Sequence, residues 1–309
     1  MKSRNEQQSK TDASSAIGHK RFRDNKLAWA MLAPSLILLS IFVIGPAIYA
    51  VRLSFFDWSF YQDSAYVGLK NYRDVLSDSQ FRDAIVRGLK FVLMTVPATI
   101  VIAFLFASLV VSVSRRFATL LKVSIYIPTI ISSVIASIVF SLIYDYSGGL
   151  LNAVVGIFGV EPKAWLGGTD TALKAIAVPA VWLGLGLTSL IMVAGMVDIP
   201  ESFYEAAELE GANWWQKTVY ITLPQMKNII LYLIITGFVA AIQQYELPLI
   251  MTNGGPLDAT MLPNLFIFNH FRGDNFAGYS IAAALLLFIV LGAISAGVFR
   301  VLNSEKLVD

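Results

Sequence analysis

Apolar residues gather into runs at about 27–51, 84–112, 118–143, 172–197, 226–250 and 279–302, with polar stretches between them. Each run matches or exceeds the roughly 20 residues that an α-helix needs to cross a bilayer. No water reaches the hydrocarbon to satisfy a backbone N–H or C=O, so every run is expected to be helical. Pro34, Pro46, Pro97, Pro128, Pro179 and Pro248 lie in or near these runs. In a membrane bundle the carbonyls freed by proline can find partners on neighbouring helices. The pattern predicts an all-α membrane protein of about six spans over 27–302. Polar tails precede it at 1–26 and follow it at 303–309.

Composition removes the alternatives. The 309 residues are 56% hydrophobic and 14% charged, with a mean hydropathy of +0.66. Soluble domains carry roughly 25% charged residues, too many for this chain to match. A net charge of +2 and the lack of a basic stripe argue against a nucleic-acid partner. With no cysteine there are no disulfides, thiolates or cysteine-ligated metals. The two histidines, His19 and His270, have no second histidine at ligand spacing, so neither a metal nor a catalytic set is expected. The glycine pairs 148–149, 167–168 and 254–255 lack a following Gly-Lys-Ser/Thr, so the chain is not expected to bind ATP itself.

Charge also orients the chain. Lys20, Arg21, Arg23 and Lys26 precede the first run. Arg115, Arg116 and Lys122 mark the second turn, Lys217 and Lys227 the fourth, and Arg300 and Lys306 the end. Lysine and arginine favour the cytoplasmic side, which places both termini inside and loops 52–83, 144–171 and 252–278 outside. Arg52, Lys70, Arg73 and Arg82 on the outer side are offset by Asp57, Asp63, Asp74, Asp78 and Asp83. The first run is too long for a signal-peptide core and reads as a retained anchor.

Residues 198–225 are unusual for a loop between membrane helices. Asp198-Ile199-Pro200-Glu201 predicts a helix start, with Asp198 as cap and Pro200 in the first turn. Gly211 would end that helix in a left-handed turn. Asn213–Lys217 then predicts a second arm leading to Ile221-Thr222-Leu223-Pro224. Ala206, Ala207 and Gly211 have little bulk and permit close approach by another protein. Tyr204, Leu209 and Trp215 would expose apolar area until a partner covers it. Glu205, Glu208 and Glu210 suit a basic groove, whereas a helix lying on lipid would carry lysine and arginine on its polar face. The hairpin is therefore expected to dock on protein.

The fifth run holds the most polar patch in any span, Gln243-Gln244-Tyr245-Glu246. Amide and carboxylate groups beside an aromatic ring suit the hydroxyls and apolar face of a sugar. The same residues could serve the bundle, the glutamines by interhelical bonds and Glu246 by reaching to water.

Glu205-Ala206-Ala207, Gly211, Ile221 and Leu223-Pro224 resemble, spacing included, the EAA loop of permeases in binding-protein-dependent ATP-driven (ABC) importers. Val67-Gly68-Leu69-Lys70-Asn71-Tyr72 and Thr252-Asn253-Gly254-Gly255-Pro256 resemble segments of the maltose-type sugar permease branch. The resemblance covers about 27–302. It implies a type I importer permease bundle in the bacterial cytoplasmic (inner) membrane, with no enzymatic activity of its own. Implied partners are a second homologous permease, a cytoplasmic ATPase dimer that binds ATP and Mg, and an extracellular or periplasmic substrate-binding protein. Tyr204, Glu205, Ala206, Ala207, Leu209, Gly211, Trp215, Leu223 and Pro224 would form the coupling surface for the ATPase. The stretch Gln243–Glu246, and Trp182-Leu183-Gly184 in the fourth run, correspond to site-lining segments of the branch. Ala240 and Ala241 depart from the asparagine-rich and aromatic pattern found there. The rivals are a non-sugar solute such as glycerol phosphate, and a secondary transporter, which would need paired membrane acids.

Overall fold

Among the described residues five helices are long and apolar enough to span a bilayer, and a bent helix pair makes a sixth if it is counted as one span. The computed structural model describes residues 28–59, 63–274 and 277–302, with backbone alone at 301 and 302. The tails at 1–26 and 303–309, with His19 and the basic cluster, lie outside the described residues. Helix α1 covers Ala28–Leu53. A two-residue hairpin (β1 Phe56–Asp57, β2 Ala65–Tyr66) and α2 (Lys70–Ser77) lead to α3 (Ser79–Ser112). Then follow α4 (Arg115–Ile130), α5 (Ser133–Ile143), α6 (Leu150–Ile157) and α7 (Ala172–Val197). A hairpin of α8 (Glu201–Leu209) and α9 (Trp214–Lys217) comes next. The chain closes with α10 (Lys227–Ile242), α11 (Glu246–Met251), α12 (Pro263–Gly273) and α13 (Gly278–Leu302).

Two expected spans are not continuous. The third, expected over 118–143, is α4 and α5 meeting at 95°. Pro128 denies α4 one internal hydrogen bond near its end, and Ser132 caps α5 by accepting from the Val134 N–H at 3.2 Å. The fifth breaks over Gln243–Tyr245, between α10 and α11. Pro248 has no N–H to offer the Gln244 carbonyl one turn back, which ends the helical ladder there. By contrast α7 runs unbroken through Pro179. The carbonyl freed by Pro179 belongs to Ala175, and the buried Tyr144 hydroxyl at the end of α5 donates to it at 3.0 Å.

At the centre, α3 packs along α7 and also against α10, while α7 packs on α4. Small residues permit this. Ala103 and Ala107 of α3 and Ser189 of α7 are fully enclosed, and a Cβ at Gly186 would lie 2.9 Å from the Ile125 carbonyl oxygen of α4. Membrane helices lack a hydrophobic drive towards one another, so such close backbone approach is a main source of their cohesion. Helix α1 is different. None of its apolar core window is buried, and it meets the bundle only near its end, against β1 and α13.

The segment Val67–Tyr72 is structural. Buried Asn71 donates through Nδ2 to the carbonyls of Ser54 (2.9 Å) and Phe56 (3.0 Å), and the Tyr279 hydroxyl of α13 donates to Asp78 at 2.6 Å. Loop 144–171 closes on Asn152, whose Oδ1 accepts from Trp165 Nε1 at 2.7 Å and from the Lys163 N–H at 3.1 Å.

Because Tyr144 satisfies a buried carbonyl, Tyr144→Phe is expected to cost about 1–3 kcal/mol. A lowered thermal midpoint of the purified chain is the measurement. An unchanged midpoint would mean that the Ala175 carbonyl has another partner.

Candidate functional site

Helix α8 starts at Glu201 without a side-chain cap, which corrects the expectation for Asp198. The N–H of Asp198 is taken by the Ala194 carbonyl as α7 ends, so Asp198, Ile199 and Pro200 join the two helices. The other end is as expected. Gly211 has φ +78°, and the N–H groups of Gly211 and Ala212 donate to Glu208 and Ala207 at 3.0 and 2.9 Å. These two bonds make a Schellman turn. Asn213 and Gln216 form a reciprocal capping box that opens α9, with bonds of 2.8 and 2.9 Å. The Asn-x-x-Gln spacing carried that signal in the sequence.

The hairpin surface is apolar and acidic. Leu209 is 91% exposed and Trp215 65% exposed. Phe203, Trp214 and Tyr220, which the sequence reading passed over, are exposed as well. Glu205 and Ala206 face outward. Ala207, Gly211, Ala212, Gln216 and Tyr220 border a cleft of about 300 Å³. Tyr204 corrects its expectation. It is half-buried, with its hydroxyl 3.0 Å from Thr222 Oγ1 on the second arm. Glu208 is also engaged within the hairpin, accepting from Lys217 Nζ at 2.6 Å. Leu223 and Pro224 follow a π-helical turn over Thr218–Thr222 and are exposed.

Helices α3, α4, α7 and α10 border a half-open cavity of about 360 Å³. Leu183, Gly184 and Gln244 line it, bringing two of the expected segments together. The rest of those segments lie outside the lining. Trp182 packs on Phe140 with ring centroids 5.6 Å apart. Gln243 is exposed, and its carbonyl accepts from Asn264 Nδ2 at 2.8 Å. Tyr245 stacks on Phe268 at 5.2 Å, and Glu246 stands half-buried in the first turn of α11.

Beside Gln244, the polar wall of the cavity comes from residues the sequence analysis did not single out: Thr95, Thr99, Thr129, Thr188, Thr236 and Tyr232. Thr95, Thr99 and Thr236 each donate to the carbonyl one turn back at 2.8 Å. Their oxygens keep acceptor capacity towards the cavity. The four-residue spacing of Thr95 and Thr99 in an apolar run was the available signal. Phe91, Val96, Ile100, Leu187 and Leu233 supply apolar walls, and among the described residues no charged side chain lines the space. Among the described residues no cluster of three or more His, Cys, Asp or Glu could hold a metal ion.

Residues 76–306 match the family described as binding-protein-dependent transport system inner membrane component. The chain is similar to the trehalose/maltose transport system permease protein of Thermococcus litoralis. The two are 30% identical over 272 residues, which is 88% of this chain and 92% of that one. It is also similar to the alpha-glucoside transport system permease protein of Rhizobium meliloti, 31% identical over 271 residues, covering 85% and 78% of the two chains. Among solved structures it shares its fold with a chain of a bacterial ABC transporter involved in import of the acidic polysaccharide alginate. That match has a TM-score of 0.75 at 20% identity and covers 93% of this chain and 98% of the other.

An added Cβ at Gly211 would meet nothing within 4 Å, so the demand at that turn is on backbone conformation. Asparagine tolerates the left-handed region and valine does not. Gly211→Val should destabilise the chain by roughly 1–2 kcal/mol, and Gly211→Asn by clearly less, read from thermal midpoints. Equal losses would refute a purely conformational role.

Proposed function

The chain belongs to the family of binding-protein-dependent transport system inner membrane components, and on that premise we propose that it carries a sugar or oligosaccharide across a bacterial cytoplasmic membrane. As a permease it provides passage and performs no catalysis. The observation that carries the sugar reading is the character of the cavity. Threonine and tyrosine hydroxyls and the Gln244 amide stand among apolar walls, with no lysine, arginine, aspartate or glutamate among the described residues of the lining. A carbohydrate offers hydroxyls on its rim and C–H groups on its faces, which this mixture complements. A phosphate would call for arginine or lysine, so glycerol phosphate fits less well. Ion-coupled secondary transport would call for membrane acids at the site. The names of the trehalose/maltose and alpha-glucoside relatives point the same way.

In this reading the chain forms half of a pathway with a second, homologous permease. An extracellular or periplasmic binding protein delivers the solute, and both chain termini face the cytoplasm. A cytoplasmic ATPase dimer, which binds ATP and Mg, receives the hairpin of α8 and α9. Exposed Leu209 and Trp215 and the outward Glu205 and Ala206 support that docking. Closure of the ATPase on ATP would move α8 as a body, and a short helix transmits such a displacement without deforming. Gln244 and the lining threonines would meet the solute, with Leu183 and Gly184 beside Thr129 and Thr99 in the wall.

Two measurements bear on this reading. In proteoliposomes holding the whole transporter, labelled disaccharide should accumulate only with ATP and the binding protein. Gln244→Leu should lower that uptake about fivefold, the effect of losing one hydrogen bond. Uptake of glycerol phosphate but no sugar would sink the proposal. The chain has no native cysteine, so one placed at Glu210 reports sidedness. An impermeant thiol reagent should leave it unlabelled in intact cells, and labelling there would invert the proposed topology.

A further inference from the structure

The two faces of α8 differ in what they meet. Tyr204 and Glu208 are four residues apart and share one side of the helix, and both are held by the second arm of the hairpin. The Tyr204 hydroxyl lies 3.0 Å from Thr222 Oγ1. Thr222 Oγ1 donates to the Lys217 carbonyl at 3.4 Å. A threonine hydroxyl has a single proton, so the phenol is the donor in the pair. The Lys217 ammonium then donates to Glu208 Oε1 at 2.6 Å and closes the circuit on α8. The opposite side, with Glu205, Ala206 and Leu209, is exposed.

The circuit sits where the ladder of the second arm changes register. The N–H of Leu223 donates to the Thr218 carbonyl, closing a π-helical turn over Thr218–Thr222. Thr218 and Thr222 are both buried. Past Pro224, α10 begins at Lys227 and runs 16 residues, about 24 Å at the helical rise. It carries Tyr232, Thr236 and Gly237 into the cavity wall.

We infer that Tyr204 is a positioning residue which, acting through Thr222, fastens α8 to the foot of α10, so that displacement of α8 reaches the wall of the cavity. Without the Tyr204–Thr222 contact, the arms keep the turn at Gly211 and the partly exposed Lys217–Glu208 pair next to it, and the far end of the second arm at Thr222 would splay and absorb the motion. With the circuit closed, the hairpin moves as one body. A second connection runs from α8 to α7 through Asp198, Ile199 and Pro200, so loss of the clamp weakens coupling without abolishing it. The inference rests on the docking role proposed above for α8, and the test separates the two.

The complete transporter in proteoliposomes is compared as wild type, Tyr204→Phe, Thr222→Val, Thr222→Ser and the Tyr204→Phe/Thr222→Val pair. Three quantities are read: ATPase retained on purification, ATP hydrolysed, and sugar moved per ATP. Tyr204→Phe removes one oxygen, and the membrane yield of each variant reports folding. Tyr204→Phe and Thr222→Val should retain the ATPase, while sugar moved per ATP falls about fivefold, as for loss of one hydrogen bond. The pair should be no worse than either single change, because both remove the same contact. Thr222→Ser, which keeps the hydroxyl, should hold the wild-type ratio. A wild-type ratio in both Tyr204→Phe and Thr222→Val would overturn the clamp and leave the docking role standing. Release of the ATPase by Tyr204→Phe would overturn it too, assigning Tyr204 to docking. Failure of the wild-type chain to hold any ATPase would refute the docking role itself. If Tyr204→Phe failed to accumulate, Thr222→Val against Thr222→Ser would decide alone.

Discussion

A backbone carbonyl robbed of its donor cannot turn to water inside a bilayer, and proline is what robs it. The shape of this chain follows from how each such carbonyl is treated. At Pro179 the helix stays intact because the Tyr144 hydroxyl reaches the Ala175 carbonyl from α5. At Pro248 the ladder gives way instead, separating α10 from α11 over Gln243–Tyr245. Two other prolines are met by a change of register. Pro46 and Pro224 each follow, by two residues, a π-helical turn, at Ser40–Ile44 and Thr218–Thr222. Near Pro128 a bend of 95° turns the chain from α4 into α5.

These local solutions place the functional parts. The break before Pro248 sets Gln244 at the edge of the cavity and turns Gln243 and Tyr245 away, towards Asn264 and Phe268. The bend after Pro128 lets Thr129 reach both the cavity and the Leu183 carbonyl of α7, at 3.4 Å. The π turn before Pro224 buries Thr218 and Thr222 and brings the latter to Tyr204. Several of the polar groups in the bundle occur where the helical ladder is interrupted, or where a hydroxyl folds back on its own helix.

The hairpin shows how one short element can serve two neighbours. Its inner side is tied by Tyr204 and Glu208, and its outer side offers Glu205, Ala206 and Leu209. Small residues at Ala207 and Gly211 open a cleft between the arms. A surface with an exposed leucine and tryptophan beside unshielded acids is costly for a free protein and suited to a partner of complementary charge.

The sequence by itself determined what depends on composition and local chemistry. Six apolar runs set an expectation of about six spans, because hydrocarbon thickness requires long runs and backbone hydrogen bonding requires helices. Gly211 announced a left-handed turn, and the segment Asn213–Lys217 after it announced the second arm of the hairpin. Periodicity could not say where a span would break, because the same proline is harmless at 179 and disruptive at 248, and only a neighbour such as Tyr144 makes the difference. Nor could it turn Tyr204 inward, since its partner Thr222 stands 18 residues away across the hairpin. Threonines 95, 99, 129, 188 and 236 read as ordinary members of apolar runs until four helices set them round one space. Those decisions belong to the tertiary structure, because each depends on which helix supplies the missing partner.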